Sequence, residues 1–471
     1  MQHAYATDCG HHASSPLPYS IGVHPKLALR AALLAALLSC TSGHAQSFTP
    51  TELRLLRTME GMPNTLARYQ YLIREVPSLP PDQRVLALQF LSFSQDELGL
   101  YDQAVFSFPL KDSLPADLAL PSPADWKSAD AVDAVDAVDA IAALAAQRRI
   151  VMVNEAHHDG HTRQLTLALL PRLRALGFNY FAAEALSDDD PGLAKRGYPI
   201  RKSGTEYLRD PMYGDIVREA IRLGYVIVPY DNALTGQARE NAQAETLYRQ
   251  VFAKDSHARL FVHAGYAHID KVPGRLGELR PMAMQLEKLT GLVPLSVDQT
   301  DFLETGIDSS DDYHRLAHAF PSHQPEVLLN RRTGKPWSAR PNAYDVNVIL
   351  PPSLSIQAFG QYAFGFRNDA IASGMPHIAD HNEMLRANWL SLDDTRRPYP
   401  ISAALCRDTI PCVVEAHYPG EPDDAIAADR YAFMGFNETT ELYLRPGRYR
   451  LRAWASDGST LSQRSIDISS P

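Results

Sequence analysis

Residues 150–158 read IVMVNEAHH, an apolar run followed at once by polar and ionisable side chains. Residues 260–268 read LFVHAGYAH and repeat the pattern. Each stretch predicts a buried β-strand that leads into a loop or helix. In an open parallel sheet, ligands bind beyond the carboxyl ends of the strands. The two stretches therefore predict one polar site, to which distant parts of the chain contribute histidines and a carboxylate.

Strand-like and helix-like segments alternate through the middle of the chain. Strands are predicted at 150–153, 180–184, 225–231, 259–263 and 295–298, with a further candidate at 345–350. Amphipathic helices are predicted at 162–176, 213–223, 237–252 and 280–290. This alternation is typical of an α/β protein with a doubly wound, mostly parallel sheet.

The flanking regions differ in texture, which predicts three folded parts. Residues 48–112 show helical periodicity and predict a helical hairpin cap on an α/β catalytic-type domain at 123–385. Residues 390–471 contain short alternating strands and predict a small β-sandwich-like domain. The stretch 115–123 is a proline-rich linker, and the repeat Ala-Val-Asp at 131–139 is expected to lengthen a helix.

The first 45 residues predict export. Lys26 and Arg30 precede an apolar run at 31–38, which has the length of a signal-peptide core. Cleavage is expected either after Ala45 or at Cys40, where residues 37–40 resemble a bacterial lipobox. We expect a periplasmic or lipid-anchored protein that meets a membrane only through Cys40. The formal net charge of −10 argues against nucleic acid as a partner.

Two cysteines lie in the body of the chain. Cys406 and Cys412 are six residues apart in a strand-rich region. In an oxidising compartment this spacing favours a local disulfide over two free thiols. Neither the spacing nor the neighbours suggest zinc.

Ionisable and polar residues follow five predicted strands, which is improbable by chance in a sheet whose strand bodies are apolar. In chain order they are Glu155, His157 and His158; Glu184; Asp231; His263, Tyr266 and His268; and Asp298 and Gln299. This coincidence favours a functional site over isolated structural histidines.

These motifs resemble a superfamily that groups the erythromycin esterase-like hydrolases, the ChaN-like haem-binding lipoproteins and the Tiki/TraB proteins. Its members carry a Gly-Glu-x-His element after the first strand, a glutamate after the second and a later Gly-x-x-His element. Residues 154–157, Glu184 and residues 265–268 correspond to these, and Arg239-Glu240 matches an Arg-Glu pair that opens a later helix. The resemblance covers roughly residues 125–300. Asn154 replaces the first glycine, and asparagine tolerates left-handed backbone better than most residues, so we expect the turn to survive.

The resemblance implies a site more firmly than a reaction. Erythromycin esterases are thought to act through histidine and glutamate without metal. Tiki-type members resemble metalloproteases, and ChaN-like members bind haem. A hydrolase, a metal-dependent enzyme and a haem-binding envelope protein therefore all remain open. A fourth hypothesis is an envelope interaction module that works through its β domain.

Physical roles favour a hydrolase acting on a small-molecule or peptide substrate with an ester or amide bond. Histidine beside a carboxylate is a competent general base near neutral pH. The sequence lacks a Gly-x-Ser-x-Gly element, which disfavours a serine nucleophile.

The expected roles follow from this scheme. Glu155, His157, Glu184 and His268 are the predicted catalytic residues; His158, Asp231, Arg239, His263 and Tyr266 are the predicted substrate-binding residues. Arg239 is expected to hold a substrate oxygen. A divalent metal, if used, is expected on His157, Glu184 and His268. His161 and Arg163, at the start of the next helix, are placed either facing the site or, as the simpler expectation, facing solvent.

Overall fold

The computed structural model describes residues 49–109, 132–304, 311–353 and 383–470. The predicted export segment with Cys40 and the linker 115–123 lie outside these residues. Among the described residues, no helix has both the length and the apolar character needed to cross a membrane.

An eight-stranded sheet forms the centre of the chain, with strand order β1-β7-β8-β6-β2-β5-β3-β4. The six strands from β8 to β4 are parallel, whereas β7 at one edge pairs antiparallel with both β8 and β1. Its strands are β1 (Val132–Asp136), β2 (Ile150–Glu155), β3 (Tyr180–Ala183), β4 (Val226–Pro229), β5 (Leu260–Gly265), β6 (Leu295–Asp298), β7 (Glu326–Asn330) and β8 (Val346–Ile349).

Eleven α-helices accompany the strands in the described residues. They are α1 (Pro50–Glu60), α2 (Thr65–Glu75), α3 (Pro81–Glu97), α4 (Tyr101–Ser107), α5 (Ala137–Ala145), α6 (Thr162–Ala175), α7 (Leu193–Arg196), α8 (Pro211–Arg222), α9 (Gly236–Leu247), α10 (Met282–Thr290) and α11 (Asp312–Ala319).

Side chains that alternate along the strands build two apolar cores. Val151 and Val153 of β2 share a core with leucines of α6 and apolar residues of α8. Ile150 and Met152 share the other core with α9 and α10. Because neighbouring strand residues point to opposite faces, helices cover both sides of the sheet. The predicted α/β class with a mostly parallel sheet is confirmed.

The Ala-Val-Asp repeat does not form one helix, so that expectation is wrong. Residues 132–136 of its first two copies form edge strand β1, which pairs with β7 from Val132 opposite Asn330 to Asp136 opposite Glu326. Asp136 then caps α5 by accepting a hydrogen bond from the backbone N–H of Asp139. A three-residue repeat cannot keep one helical face buried, whereas pairing with β7 satisfies its backbone.

Residues 397–468 form an antiparallel β region. A four-stranded sheet has the order β11-β10-β13-β14, and β12 pairs with β9. The strands are β9 (Arg397–Ser402), β10 (Cys412–His417), β11 (Asp429–Phe433), β12 (Thr439–Leu444), β13 (Gly447–Ala455) and β14 (Thr460–Ile468). Cys406 and Cys412 lie at disulfide distance, with Cα atoms 5.9 Å apart.

The N-terminal helices pack against this β region at the turn between α3 and α4. Gly99 there has a φ of +75°, and a Cβ would lie 2.1 Å from the carbonyl oxygen of Arg430. Only glycine permits this close approach of the two backbones.

Candidate functional site

The carboxyl ends of β2, β3 and β5 bring the predicted site residues to one edge of the sheet. Glu155 pairs opposite Gly265 in neighbouring parallel strands, and Glu184 follows β3 directly and donates its backbone N–H to the carbonyl of His263. The side chains of Glu155, His157, Glu184 and His268 are all buried, with 1–8% of their surface exposed. They lie in polar networks rather than in apolar core.

Glu155 contacts three basic side chains, those of His157, Arg163 and His263. Its Oε1 lies 2.9 Å from Nδ1 of His157, and its Oε2 accepts a hydrogen bond from Nε of Arg163 at 2.6 Å. Burial alone would raise the pKa of Glu155, but Arg163 and His263 hold it well below its usual range. A carboxylate can only accept, so Nδ1 of His157 donates to Glu155, and in the neutral ring Nε2 is then the acceptor.

The acceptor nitrogen of His157 lies above Gly265. A Cβ on residue 265 would be 2.4 Å from Cε1 and Nε2 of His157 and 3.2 Å from Oε2 of Glu184. The imidazole of His157 and the carboxylate of Glu184 therefore pack directly against the Cα of Gly265, and only glycine permits this contact. The ring of Tyr207 stacks on His157 with centroids 3.9 Å apart and holds its orientation.

A second network surrounds Arg239. Its guanidinium donates to both carboxylate oxygens of Asp231, at 3.0 and 2.9 Å, and to Oε1 of Glu184 at 2.6 Å. Its NH1 lies 3.0 Å from Nε2 of His268. These contacts leave at most one of the five N–H groups of arginine for a substrate oxygen. Arg239 is therefore mainly a hub that holds Glu184 and His268.

His268 is held at both ring nitrogens. Nδ1 lies 2.9 Å from Oε1 of Glu240, and Nε2 lies 3.0 Å from Arg239 and 3.6 Å from Oε1 of Glu184. Burial lowers the pKa of His268, but Glu240 and Glu184 raise it more, so its net shift is upward. The contact with Arg239 requires the neutral ring, whose Nε2 accepts. A protonated ring would instead donate Nε2–H to Glu184, so His268 has two arrangements separated by one proton.

Glu184 remains a carboxylate between the two histidines. Burial opposes ionisation, but His268, Arg239 and His157 lower the pKa of Glu184 to about 2. Its Oε2 also accepts a hydrogen bond from the backbone N–H of Gly265 at 2.5 Å. Glu184 thus connects the His157 and His268 networks.

Tyr266 marks the side of the site nearest to solvent. It is half-buried, whereas its neighbours in the site are buried. Its φ of +42° is uncommon for a residue with a large side chain, and such strain is found at functional sites. Its hydroxyl lies 3.1 Å from Nδ1 of His158, whose ring stacks on Phe108. Burial, then the charges of His157 and Arg163, lower the pKa of His158 well below its usual value.

Two predicted substrate-binding residues act as supports. His263 is fully buried, with Nδ1 2.9 Å from Oγ1 of Thr166 and Nε2 3.3 Å from Glu155, so it stands behind the carboxylate. Asp231 lies behind Arg239, where Gln243 also donates to it.

The expectation that His161 and Arg163 face solvent is wrong. Arg163 has none of its surface exposed, and His161 has 3% exposed and stacks on Trp389. Three carboxylates surround Arg163: Glu155, Asp96 at 2.6 Å and Asp210 at 3.2 Å. Asp96 lies far back in the chain, in α3, so no local pattern could place it here. Asp210, by contrast, precedes Pro211 as the cap of α8, which is a readable helix-start signal.

Asn154 does not replace glycine in a left-handed turn. It lies within β2, and its amide donates to Oδ1 of Asp298 at 2.6 Å and to the carbonyl of Tyr266 at 2.8 Å. Its Oδ1 accepts from the backbone N–H of Gln299 at 2.7 Å. Asn154 therefore joins the ends of β2, β5 and β6, and this also accounts for the polar residues Asp298 and Gln299.

The predicted metal ligands do not fit a cation. Nδ1 of His157, both oxygens of Glu184 and both nitrogens of His268 are engaged, and the Arg239 guanidinium already carries the positive charge between them. In the part of the chain that the structure describes, no group of three or more His, Cys, Asp or Glu side chains is arranged to hold a metal ion.

Comparison with models of known protein families finds no match, and neither does comparison with curated proteins. Among solved structures, the chain is similar to RRSP, a MARTX toxin effector domain from Vibrio vulnificus, with 14% identity over 62% of this chain and 67% of that one and a TM-score of 0.28. Two structures described as bacterial protein toxins are 14% and 15% identical over 62% of this chain and 70% of theirs, with TM-scores of 0.27 and 0.28. Similarity at this level supports no statement about the fold or function of this chain.

Proposed function

We propose that this chain is an exported hydrolase that cleaves an ester or amide bond with His157 as general base. The observation that carries the proposal is the carboxylate–histidine pair: Oε1 of Glu155 lies 2.9 Å from Nδ1 of His157, which leaves Nε2 as the nitrogen that can take a proton from water. A base near neutral pH with a fixed tautomer is what water activation requires.

The chain's residues support a simple sequence of proton transfers. Nε2 of His157 takes a proton from water, and the resulting hydroxide adds to the substrate carbonyl carbon. Glu155 stabilises the imidazolium that forms. When the tetrahedral intermediate collapses, the C–O or C–N bond breaks and His157 returns its proton to the leaving alkoxide or amine.

Other parts of the proposal rest on the sequence. Export is supported by the basic and apolar segments within residues 26–46. The order of the Asn-Glu-x-His, Glu184 and Gly-x-x-His elements supports membership of the erythromycin esterase-like superfamily. We also propose that α1–α4 act as a cap on the site and that residues 390–471 form a β-sandwich-like domain.

An activity panel tests the proposal. The purified chain is incubated with ester, lactone, amide and peptide substrates, with and without a chelator, beside the His157→Gln variant. Hydrolysis of one substrate class that withstands the chelator and is lost in the variant is the expected result. The same hydrolysis by the variant would contradict it. Added hemin is expected to leave the Soret band unchanged, and a shift lost in His157→Gln would favour a haem-binding protein instead.

A further inference from the structure

We infer that Asp96, from the N-terminal helices, is a positioning residue for His157, so that α3 completes the site and does not merely cover it. This inference rests on the proposed function. It concerns a residue outside the region that carries the family resemblance.

Asp96 fastens the turn that follows His157 at two points. Its Oδ1 accepts the backbone N–H of Gly160 at 3.0 Å, and its Oδ2 accepts NH1 of Arg163 at 2.6 Å. The side chain is buried, with 3% of its surface exposed. Burial raises the pKa of Asp96 well above its usual range, although Arg163 opposes that rise. Both oxygens accept from N–H groups, which is the pattern of a carboxylate.

Arg163 connects Asp96 to the general base, His157. Its Nε donates to Glu155 at 2.6 Å, and its NH2 donates to the carbonyl oxygen of His157 at 3.1 Å. One planar guanidinium therefore fixes both the carboxylate that orients the imidazole and the backbone that carries it. Asp96 sets the plane of that guanidinium, because a rigid fork bound at one side cannot rotate freely at the other.

Replacing Asp96 by asparagine puts an amide N–H donor against another N–H donor. Because both oxygens accept, the new NH2 must face either Arg163 or the Gly160 N–H. Arg163 then loses its hydrogen bond to Asp96 in α3. Without it, Glu155 and His157 are no longer held in one geometry. Asp96 touches no reacting atom, so its loss changes the rate of the chemical step and not substrate affinity.

The neighbouring residue provides a matched control. Glu97 is buried at the same helix end, with 6% exposed, but its ion pairs reach Arg209 and Arg430, both at 3.9 Å, and not Arg163. Glu97→Gln removes a buried carboxylate from the same interface without touching the His157 turn.

The experiment compares Asp96→Asn with Glu97→Gln by kinetics and by ¹⁵N NMR of histidine-labelled protein. For Asp96→Asn we expect kcat to fall by up to about 100-fold with KM unchanged, because a 1 Å displacement of a catalytic group can cost that factor. The acidic limb of the rate profile, where the general base becomes protonated, should move to lower pH, because a displaced Glu155 stabilises the imidazolium less. In the NMR spectrum the His157 Nδ1–H signal should weaken or move. Glu97→Gln should change none of these readouts.

A normal kcat and an unchanged His157 signal in Asp96→Asn would overturn the inference, as would equal effects of both variants. The NMR readout needs no substrate, so it decides the inference even if the chain hydrolyses nothing, which would count against the proposed function alone. If Asp96→Asn does not fold, Arg163→Lys removes the same fork while it keeps the charge, and the same NMR change is expected; an unchanged signal would again overturn the inference.

Discussion

The Cα of Gly265 lies under the imidazole of His157, so close that a Cβ on residue 265 would be 2.4 Å from Nε2. Gly265 has a φ of −77°, an ordinary value for any residue. The glycine is therefore required by the histidine above it and not by its own backbone.

Gly265→Ala should displace His157 without straining the strand. Because displacing a catalytic group by 1 Å can cost about 100-fold, we expect kcat/KM to fall by roughly that factor. Gly61→Ala is the matched control, since Gly61 has a φ of −74° and its nearest neighbour would be an ordinary 3.6 Å away. Full activity in Gly265→Ala would show that the position of His157 over this glycine has no role.

Glu155→Gln should reduce activity and stability together. The amide cannot stabilise the imidazolium, so kcat should fall about 10³-fold, within the range for general acid–base groups. Arg163 would keep Asp96 and Asp210 but lose one buried partner, and we expect the free energy of unfolding to fall by about 2 kcal/mol. Activity must be expressed per folded molecule, with the folded fraction taken from a denaturant titration of each variant. A stability loss with normal activity would mark Glu155 as structural.

Asn154→Gly should weaken the protein. It removes hydrogen bonds to Asp298, Tyr266 and the Gln299 backbone, and glycine is itself unfavourable in a strand. We expect the free energy of unfolding to fall by about 3 kcal/mol in urea titrations. A loss under about 1 kcal/mol would contradict the bridging role assigned to Asn154.

Much of this arrangement follows from sequence and part of it does not. Apolar runs ending at Glu155, Glu184 and His268 predict the parallel strands and their shared edge, because strand direction alone brings those ends together. Arg163 shows no such signal. Its burial depends on Asp96 and Asp210, which only the tertiary fold brings near. Likewise, β1 exists because β7 lies beside it, and the repeat of residues 131–139 carries no strand periodicity.

Glu304→Gln should stabilise the protein at alkaline pH. Burial raises the pKa of Glu304 to about 8, and its Oε1 is buried without a hydrogen-bond partner among the residues that the structure describes. A carboxyl group with a raised pKa contributes stability below its unfolded value, near pH 4.5, and loses it as pH rises towards 8. Glutamine avoids this loss, so we expect a gain on the order of 2 kcal/mol at pH 8.5 and little change at pH 4.5. Equal effects at both pH values in thermal melts would contradict the assignment.

The most direct test of the account is the rate of His157→Gln relative to the unmodified chain, on the best substrate of the activity panel and at equal folded fraction. Glutamine keeps a polar side chain of similar reach but cannot take a proton near neutral pH. The account predicts a loss of about 10³-fold or more in kcat, as expected for a general base. Activity within about threefold of the unmodified chain would contradict the assignment of His157 as that base.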